Sequence, residues 1–432
     1  MILPQFHEKR FELNDEVHAR PSQSIETPSR LSYIVLLAGQ AEREKAVDMI
    51  RALADQFRIA PPELDAIYSN LDFGNFRLTF ERHSEFLRFT IASSEVSNER
   101  FSESALSLLP DKWVAELPGK VIVAAHVEVH RDTNTKIGIN ATARDHFASN
   151  MLIGAGLLND AATAYTDFRI HADGFSRLLI VDRLMTKWQA GRVVQRLLEI
   201  ETYRVMALLA LPVARELSPG LTRQERELSQ ISAAMVSASE TDEAILLDRL
   251  SRLQASIEER HSNSHYRFSA AAAYYQIVQT RIAELREKRI EGLQTFDEFT
   301  ERRLAPAMST CRAVAARQVG LAERVARVTQ LLSTRVDLTR ERQNQEVLES
   351  MNRRVAMQLR LQETVEGLSV AAVTYYVVGL IYYAAKATAA MGLSVNANLV
   401  AGLSIPVVAV GVAFGVRSIR SRFLKQPAAD AD

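Results

Sequence analysis

His126, Glu128 and His130 alternate along the apolar run VIVAAHVEVH. Read as a strand, that run turns every second side chain to one face, so two imidazoles and a carboxylate project together. Such a set could hold a divalent cation, since imidazole nitrogens and carboxylate oxygens are its usual donors. The solvent side of a half-buried strand shows the same alternation, and the spacing allows both readings. A second group, Asp15, Glu16 and His18, lies in FELNDEVHARP. It could ligate a metal or exchange protons. The alternative is a short helix capped by Asn14 and ended before Pro21.

A third set lies near the C-terminal end and carries no charge. Gly367, Ala371, Thr374, Val378, Ile381 and Ala385 fall on one stripe of a helix. In a symmetric assembly this stripe, with Thr374, Val378 and Ile381 at its centre, could line a pore. It could equally pack against a neighbouring helix. Asn396 and Asn398 would then stand at the outer mouth. Gly411 and Gly415 are four apart, the spacing at which membrane helices approach closely. No Asp, Glu, Arg or His lies inside either apolar run, which argues against a proton relay or a charge-coupled carrier. Elsewhere, Gly154 and Gly156 in IGAGLL depart from a dinucleotide fingerprint, because position 159 is Asn. There is no phosphate loop, HExxH, GxSxG or kinase set, so no enzyme is expected.

The elements that must carry these residues begin with the tail. No charge interrupts the chain between Glu366 and Lys386, or between Lys386 and Arg417. Each gap holds an apolar run of roughly 18–20 residues, enough to cross a bilayer as a helix. A short loop joins them into a transmembrane hairpin. Arg353, Arg354 and Arg360 precede it, and Arg417, Arg420, Arg422 and Lys425 follow, while the loop side carries only Lys386. The positive-inside rule then places the body and both termini in the cytoplasm. The N-terminus lacks an apolar signal core, so the hairpin is expected to drive insertion.

Upstream, LSYIVLLA reads as a strand, QAEREKAVDMIRALADQF as a helix, and FRLTFERH with FLRFTIA as a hairpin turning at His83–Glu85. SNMLIGAGLL reads as a helix. ATAYTDFRI and GFSRLLIVD form a further hairpin through Asp173-Gly174, where glycine supplies a positive φ. Beyond Lys187 the pattern is helical, with breaks expected near Pro212 and at Ser218-Pro219-Gly220. Seams at Leu246, Leu250, Leu253 and Ile257, at Phe268, Ala271, Tyr275, Val278, Ile282 and Leu285, and at Val314, Leu321, Val325, Val328 and Leu332 are coiled-coil-like. His261–His265 is a polar interruption between the first two.

The expected fold class is α+β, in four parts: a mixed α/β cytoplasmic domain (1–185), long coiled-coil-like helices ending in a stalk (186–366), the transmembrane hairpin (367–416) and a basic tail (417–432). Lys and Arg number 52 and so do Asp and Glu, giving no net charge. That balance excludes a protein built mainly to bind nucleic acid. Cys311 is the only cysteine, so neither a disulfide framework nor a cysteine-based zinc site is available.

FELNDEVHARP, TDFRIHADGFSRLLIVD and WQAGRVVQRLLEIETYRVMALLALP resemble a bacterial family of predicted membrane-anchored proteins, domain-of-unknown-function family 3422, over nearly the whole chain. The join NRRVAMQLRLQETVEGLSVAAVTYYVVGLIYY resembles, more remotely, the stalk-to-pore junction of CorA-type magnesium channels. That resemblance implies a homopentamer with a two-span pore and a divalent cation as its cargo. Those channels carry Gly-Met-Asn after the first span, whereas here the loop reads Ala390-Met391-Gly392-Leu393-Ser394-Val395-Asn396, and Lys386 would repel cations. Three functions are carried forward: a CorA-like homo-oligomer passing ions, a membrane-anchored scaffold whose helical body binds partners, and a tethered enzyme using Asp15, His18 or the His126 face.

Overall fold

The computed structural model describes residues 4–18, 21–97, 99–132, 139–390 and 396–423. Its strands are β1 (Ser29–Leu37), β2 (Tyr68–Asp72), β3 (Arg77–Arg82), β4 (Phe86–Ser93), β5 (Lys120–Arg131), β6 (Ile153–Leu157), β7 (Ala162–Thr166), β8 (Ser176–Asp182) and β9 (Lys288–Arg289). They form one mixed sheet in the order β2-β3-β4-β1-β5-β8-β7-β6-β9, with β5 and β8 parallel. The helices are α1 (Arg10–His18), α2 (Gln40–Gln56), α3 (Asp111–Ala115), α4 (Ile139–His146), α5 (Lys187–Leu208), α6 (Ala210–Ser237), α7 (Glu240–Leu285), α8 (Phe296–Arg303), α9 (Ala305–Ala390) and α10 (Ala397–Phe423).

The chain divides into two units. The first is Met1–Ser237 with Ile245–Thr329, and the second is Ala238–Ala244 with Gln330–Asp432. In the first, β1 is buried from Ser29 to Leu36, as a central strand covered on both faces must be. Ile34 and Leu36 join Ile50 and Leu53 of α2, Leu78 and Phe80 of β3, and Leu87, Phe89 and Ile91 of β4 in the main apolar cluster. Tyr33 points the other way and reaches Thr202 of α5. Thr186 starts α5 with a capping box to Gln189. Gly191 is needed there because the Gln23 carbonyl lies 1.7 Å from where a Cβ would stand. The segment after Pro21 thus lies directly on α5.

Both hairpins form as the sequence indicates, with Gly174 at φ +86°. Four readings change. SNMLIGAGLL is not a helix: Ile153–Leu157 is strand β6, paired with β7 and reversed at Leu158, Asn159 and Asp160, all with positive φ. A short apolar run has no period that separates strand from helix, and Gly154 fits because the Ala164 carbonyl leaves no room for a Cβ. Asn14 does not cap a helix; it lies inside α1, which begins at Arg10. Pro219 does not break α6, and Gly220 beside it lies under the Arg260 guanidinium. The His261–His265 stretch is helical within α7, where Ser264 is buried and its hydroxyl donates to Gln318 Oε1 at 3.2 Å. The chain does turn near Pro212, between Leu208 and Ala210.

The second unit holds the C-terminal part of α9 and all of α10. Most of 334–366 is exposed, and the helix passes without a break from this polar stretch into the apolar run. Loop residues Met391–Val395 and the tail from Leu424 onward lie outside the described residues.

Candidate functional site

Three places draw together side chains that could do chemistry. The first is β5. His126, Glu128 and His130 lie on one face of that strand, but the face is covered, and Glu128 is only 6 % exposed. Its carboxylate contacts His130 Nε2 at 2.6 Å and accepts the Phe101 backbone N–H at 2.5 Å. His126 is engaged elsewhere: Nδ1 lies 3.0 Å from Ser32 Oγ, and the ring stacks on Phe175 at 4.0 Å between centroids. Further along the same region Asp167 contacts His171 Nε2 at 3.0 Å and accepts from Asn150 at 2.7 Å. Among the described residues no three His, Cys, Asp or Glu side chains are grouped so as to hold a metal ion. These are carboxylate–imidazole pairs that tie loops to the sheet. Asp15 lies exposed on α1, apart from these pairs, and the side chains of Glu16 and His18 lie outside those described.

Burial, reinforced by Arg177 and opposed by Asp173 and Glu128, lowers the His126 pKa to about 4. The folded protein therefore binds its proton less readily than the unfolded chain does. The stability this contributes is complete above the unfolded value near 6.5 and is lost as pH falls toward 4, at up to about 1.4 kcal/mol per pH unit. His126→Asn is expected to flatten that part of the profile. Urea denaturation of both proteins at pH 7 and pH 5 would show it, and an unchanged difference between the two pH values would refute it.

The second place is a buried charge network between the sheet and α5. Arg88 of β4 is 4 % exposed, and its Nη1 donates to both Glu81 oxygens at 3.3 and 3.1 Å. Glu199 Oε1 lies 3.9 Å from the same nitrogen and accepts from Gln195 at 2.9 Å, while Arg281 of α7 holds its other oxygen. Burial alone would disfavour the Arg88 charge, yet Tyr33, Glu81, Tyr203 and Glu199 together raise its pKa. For Glu81, burial raises the carboxyl pKa, but Arg88 and His83 outweigh it and the net shift is downward. Tyr33 donates to Thr202 Oγ1 at 2.6 Å, since Thr202 itself donates to the Leu198 carbonyl. A cavity of about 50 Å³ beside the network is lined by Tyr68, Gln23 and Gly191 as well as Arg88. That is room for water rather than for an organic substrate. Sequence reading missed this network; its signals were a lone Arg in the apolar strand FLRFTIA and Glu199 inside an apolar helix.

The third place is the hairpin. Two helices are long and apolar enough to cross a membrane, α9 in its C-terminal part and α10 over Ala397–Ser418, and almost nothing of either apolar stretch is buried. Thr374 and Ala385 are the two buried positions, and Val378 and Ile381 between them are half-buried. On α10 the less exposed positions are Val400, Ser404, Val408 and Val412, again at helical period. Two stripes of this kind are what packing of α9 against α10 along one line would leave. In the single chain, then, Thr374, Val378, Ile381 and Ala385 form the least exposed stripe of the first span, with the Thr374 hydroxyl donating to the Val370 carbonyl at 2.7 Å. Gly411 and Gly415 are exposed, with no atom within 4 Å of a Cβ placed on either. Asn396 precedes the first turn of α10, where its carbonyl accepts from Leu399 and Val400, and Asn398 is exposed in that turn.

A family model described as "Protein of unknown function (DUF3422)" matches residues 5–423. Comparisons with curated proteins and with solved structures gave no match. With nearly its full length covered by that one model, the chain belongs to the DUF3422 family.

Proposed function

We propose that the chain is the subunit of a CorA-like homo-oligomer of the bacterial inner membrane, a pentamer, whose spans together enclose a path for ions. The observation that carries this reading is α9: one unbroken helix of 86 residues, packed at its start and ending in an apolar stretch of which almost nothing is buried. One hairpin cannot enclose a path, so conduction requires several copies around an axis. The basic flanks favour a cytoplasmic body with both ends on the same side.

A second reading, an anchored scaffold whose helical body binds partners, is favoured by one specific feature. The least exposed stripe of the first span, from Thr374 to Ala385, is what a simple anchor would use to pack its two helices. The mass of the detergent-extracted full chain, by native mass spectrometry, tests the first reading. A pentamer is expected, followed by cation flux in liposomes; a monomer or dimer would rule out a path built from two spans per copy.

A further inference from the structure

The second face of α9 carries a pattern that the hairpin does not use. Leu348, Val355, Gln362, Ser369, Tyr376 and Tyr383 follow one another at seven-residue steps. Met351, Gln358 and Val365 fall three residues after the first three of them. This is a heptad seam, and it runs from the polar stalk into the span without a change of phase. Two residues along an α-helix turn about 200°, so Tyr376 and Tyr383, each two beyond Thr374 and Ile381, lie on the side away from the hairpin seam. In the single chain Leu348, Met351 and Val355 are 60 %, 57 % and 52 % exposed, and Tyr376 and Tyr383 are 72 % and 69 % exposed.

We propose that this seam is where a second copy of the chain docks, with its α9 parallel and in register, so that Ser369, Tyr376 and Tyr383 face the axis of the assembly. The inference rests on the homo-oligomer reading above and adds the surface and the register. Copies inserted in one bilayer with the same topology have their α9 helices parallel and at the same height, so each heptad position meets its own counterpart. Lipid cannot cover the stalk part, because Arg353, Arg354 and Arg360 keep that stretch at the aqueous side. Gln358 and Gln362 interrupt the apolar positions. In register they pair donor to acceptor with the same residues of a neighbour, and a shift by one heptad sets Gln358 against Met351 or Val365 and Gln362 against Val355 or Ser369. Polar residues at core positions of a coiled coil fix register in this way.

The full chain carrying Cys311→Ala serves as background, since Cys311 is the only thiol. Met351→Cys and Val355→Cys are introduced singly, with Glu346→Cys as the control, turned about 140–180° from them on the helix. Each is oxidised in membranes and run without reductant, and its native mass is measured in parallel. Disulfide-linked dimers at Met351→Cys and Val355→Cys, with none at Glu346→Cys, are the expected result. An oligomer by mass that cross-links at Glu346→Cys but not at the other two would overturn the seam and leave the homo-oligomer standing. A monomer by mass would remove both. All three positions are exposed in the single chain, so none of the substitutions disturbs its fold.

Discussion

Arg88→Met is expected to lower the stability of the sheet-bearing unit by about 3–5 kcal/mol, the cost of leaving a buried partner charge uncompensated. Glu81 loses both of its hydrogen bonds from Nη1, and Glu199 keeps only Arg281 and Gln195. The Glu81 contribution to the pH profile should change sign as well as level. In the natural chain the Glu81 carboxyl titrates below its ordinary value, so its contribution is present above pH 4.5 and is lost as pH falls. Without Arg88, burial becomes the dominant influence and raises that carboxyl. The folded state then prefers the protonated form, and stability is lost as pH rises through the new value. The loss caused by Arg88→Met, measured against the parent at the same pH, should therefore be smaller at pH 5 than at pH 8. Adding Glu81→Gln removes the orphaned charge and should recover a large part of the loss. Denaturant titrations of the three proteins at the two pH values decide the matter; if Arg88→Met alone costs under about 1 kcal/mol, the network is not the buried and mutually dependent one described.

How much of this was legible beforehand follows from where the information sits. Hairpins β3–β4 and β7–β8 were readable because their turn residues and alternation are local. The helical seams were readable because a 3.6-residue period extends over dozens of positions. Strand β6 was not, because IGAGL is too short to show a period and its glycines answer to the carbonyl of Ala164 across the sheet. The charge network was invisible for a different reason: Glu81, Arg88, Glu199 and Arg281 are brought together only by the sheet, α5 and α7 closing over one another. A lone charged residue in an apolar run marks that something must pair with it, without saying what. The hairpin presents a third case. Spacing showed that Thr374, Val378 and Ile381 share a stripe, but a stripe that packs within the chain and one that lines a path have the same period. The burial of Thr374 and Ala385 in the single chain favours the first of these.

That separation leads to the second large effect. If copies of α9 surround an ion path through the heptad seam, Tyr376 faces water and Thr374 faces α10. Tyr376→Cys, in the Cys311→Ala background, should then react from the aqueous phase with a membrane-impermeant cationic thiol reagent. The added fixed charges would stand in a narrow path with low-dielectric walls, where they act with little screening, and most cation flux should be lost. Anion flux should fall less or rise, since a ring of positive charge repels one sign and attracts the other. Thr374→Cys gives the contrast. Its side chain lies in the hairpin seam, so the same reagent should leave flux unchanged, and Thr374→Arg should instead disturb the hairpin by forcing a cation between two apolar helices, at roughly 2.5–3.5 kcal/mol for a mid-span position. Liposome flux before and after reagent, with labelling measured by mass, distinguishes the arrangements. Labelling of Thr374→Cys with Tyr376→Cys protected would put the path on the other side of α9. Unlabelled cysteines at both positions, in an assembly whose mass is oligomeric, would leave α9 without a water-filled face and make the hairpin an anchor.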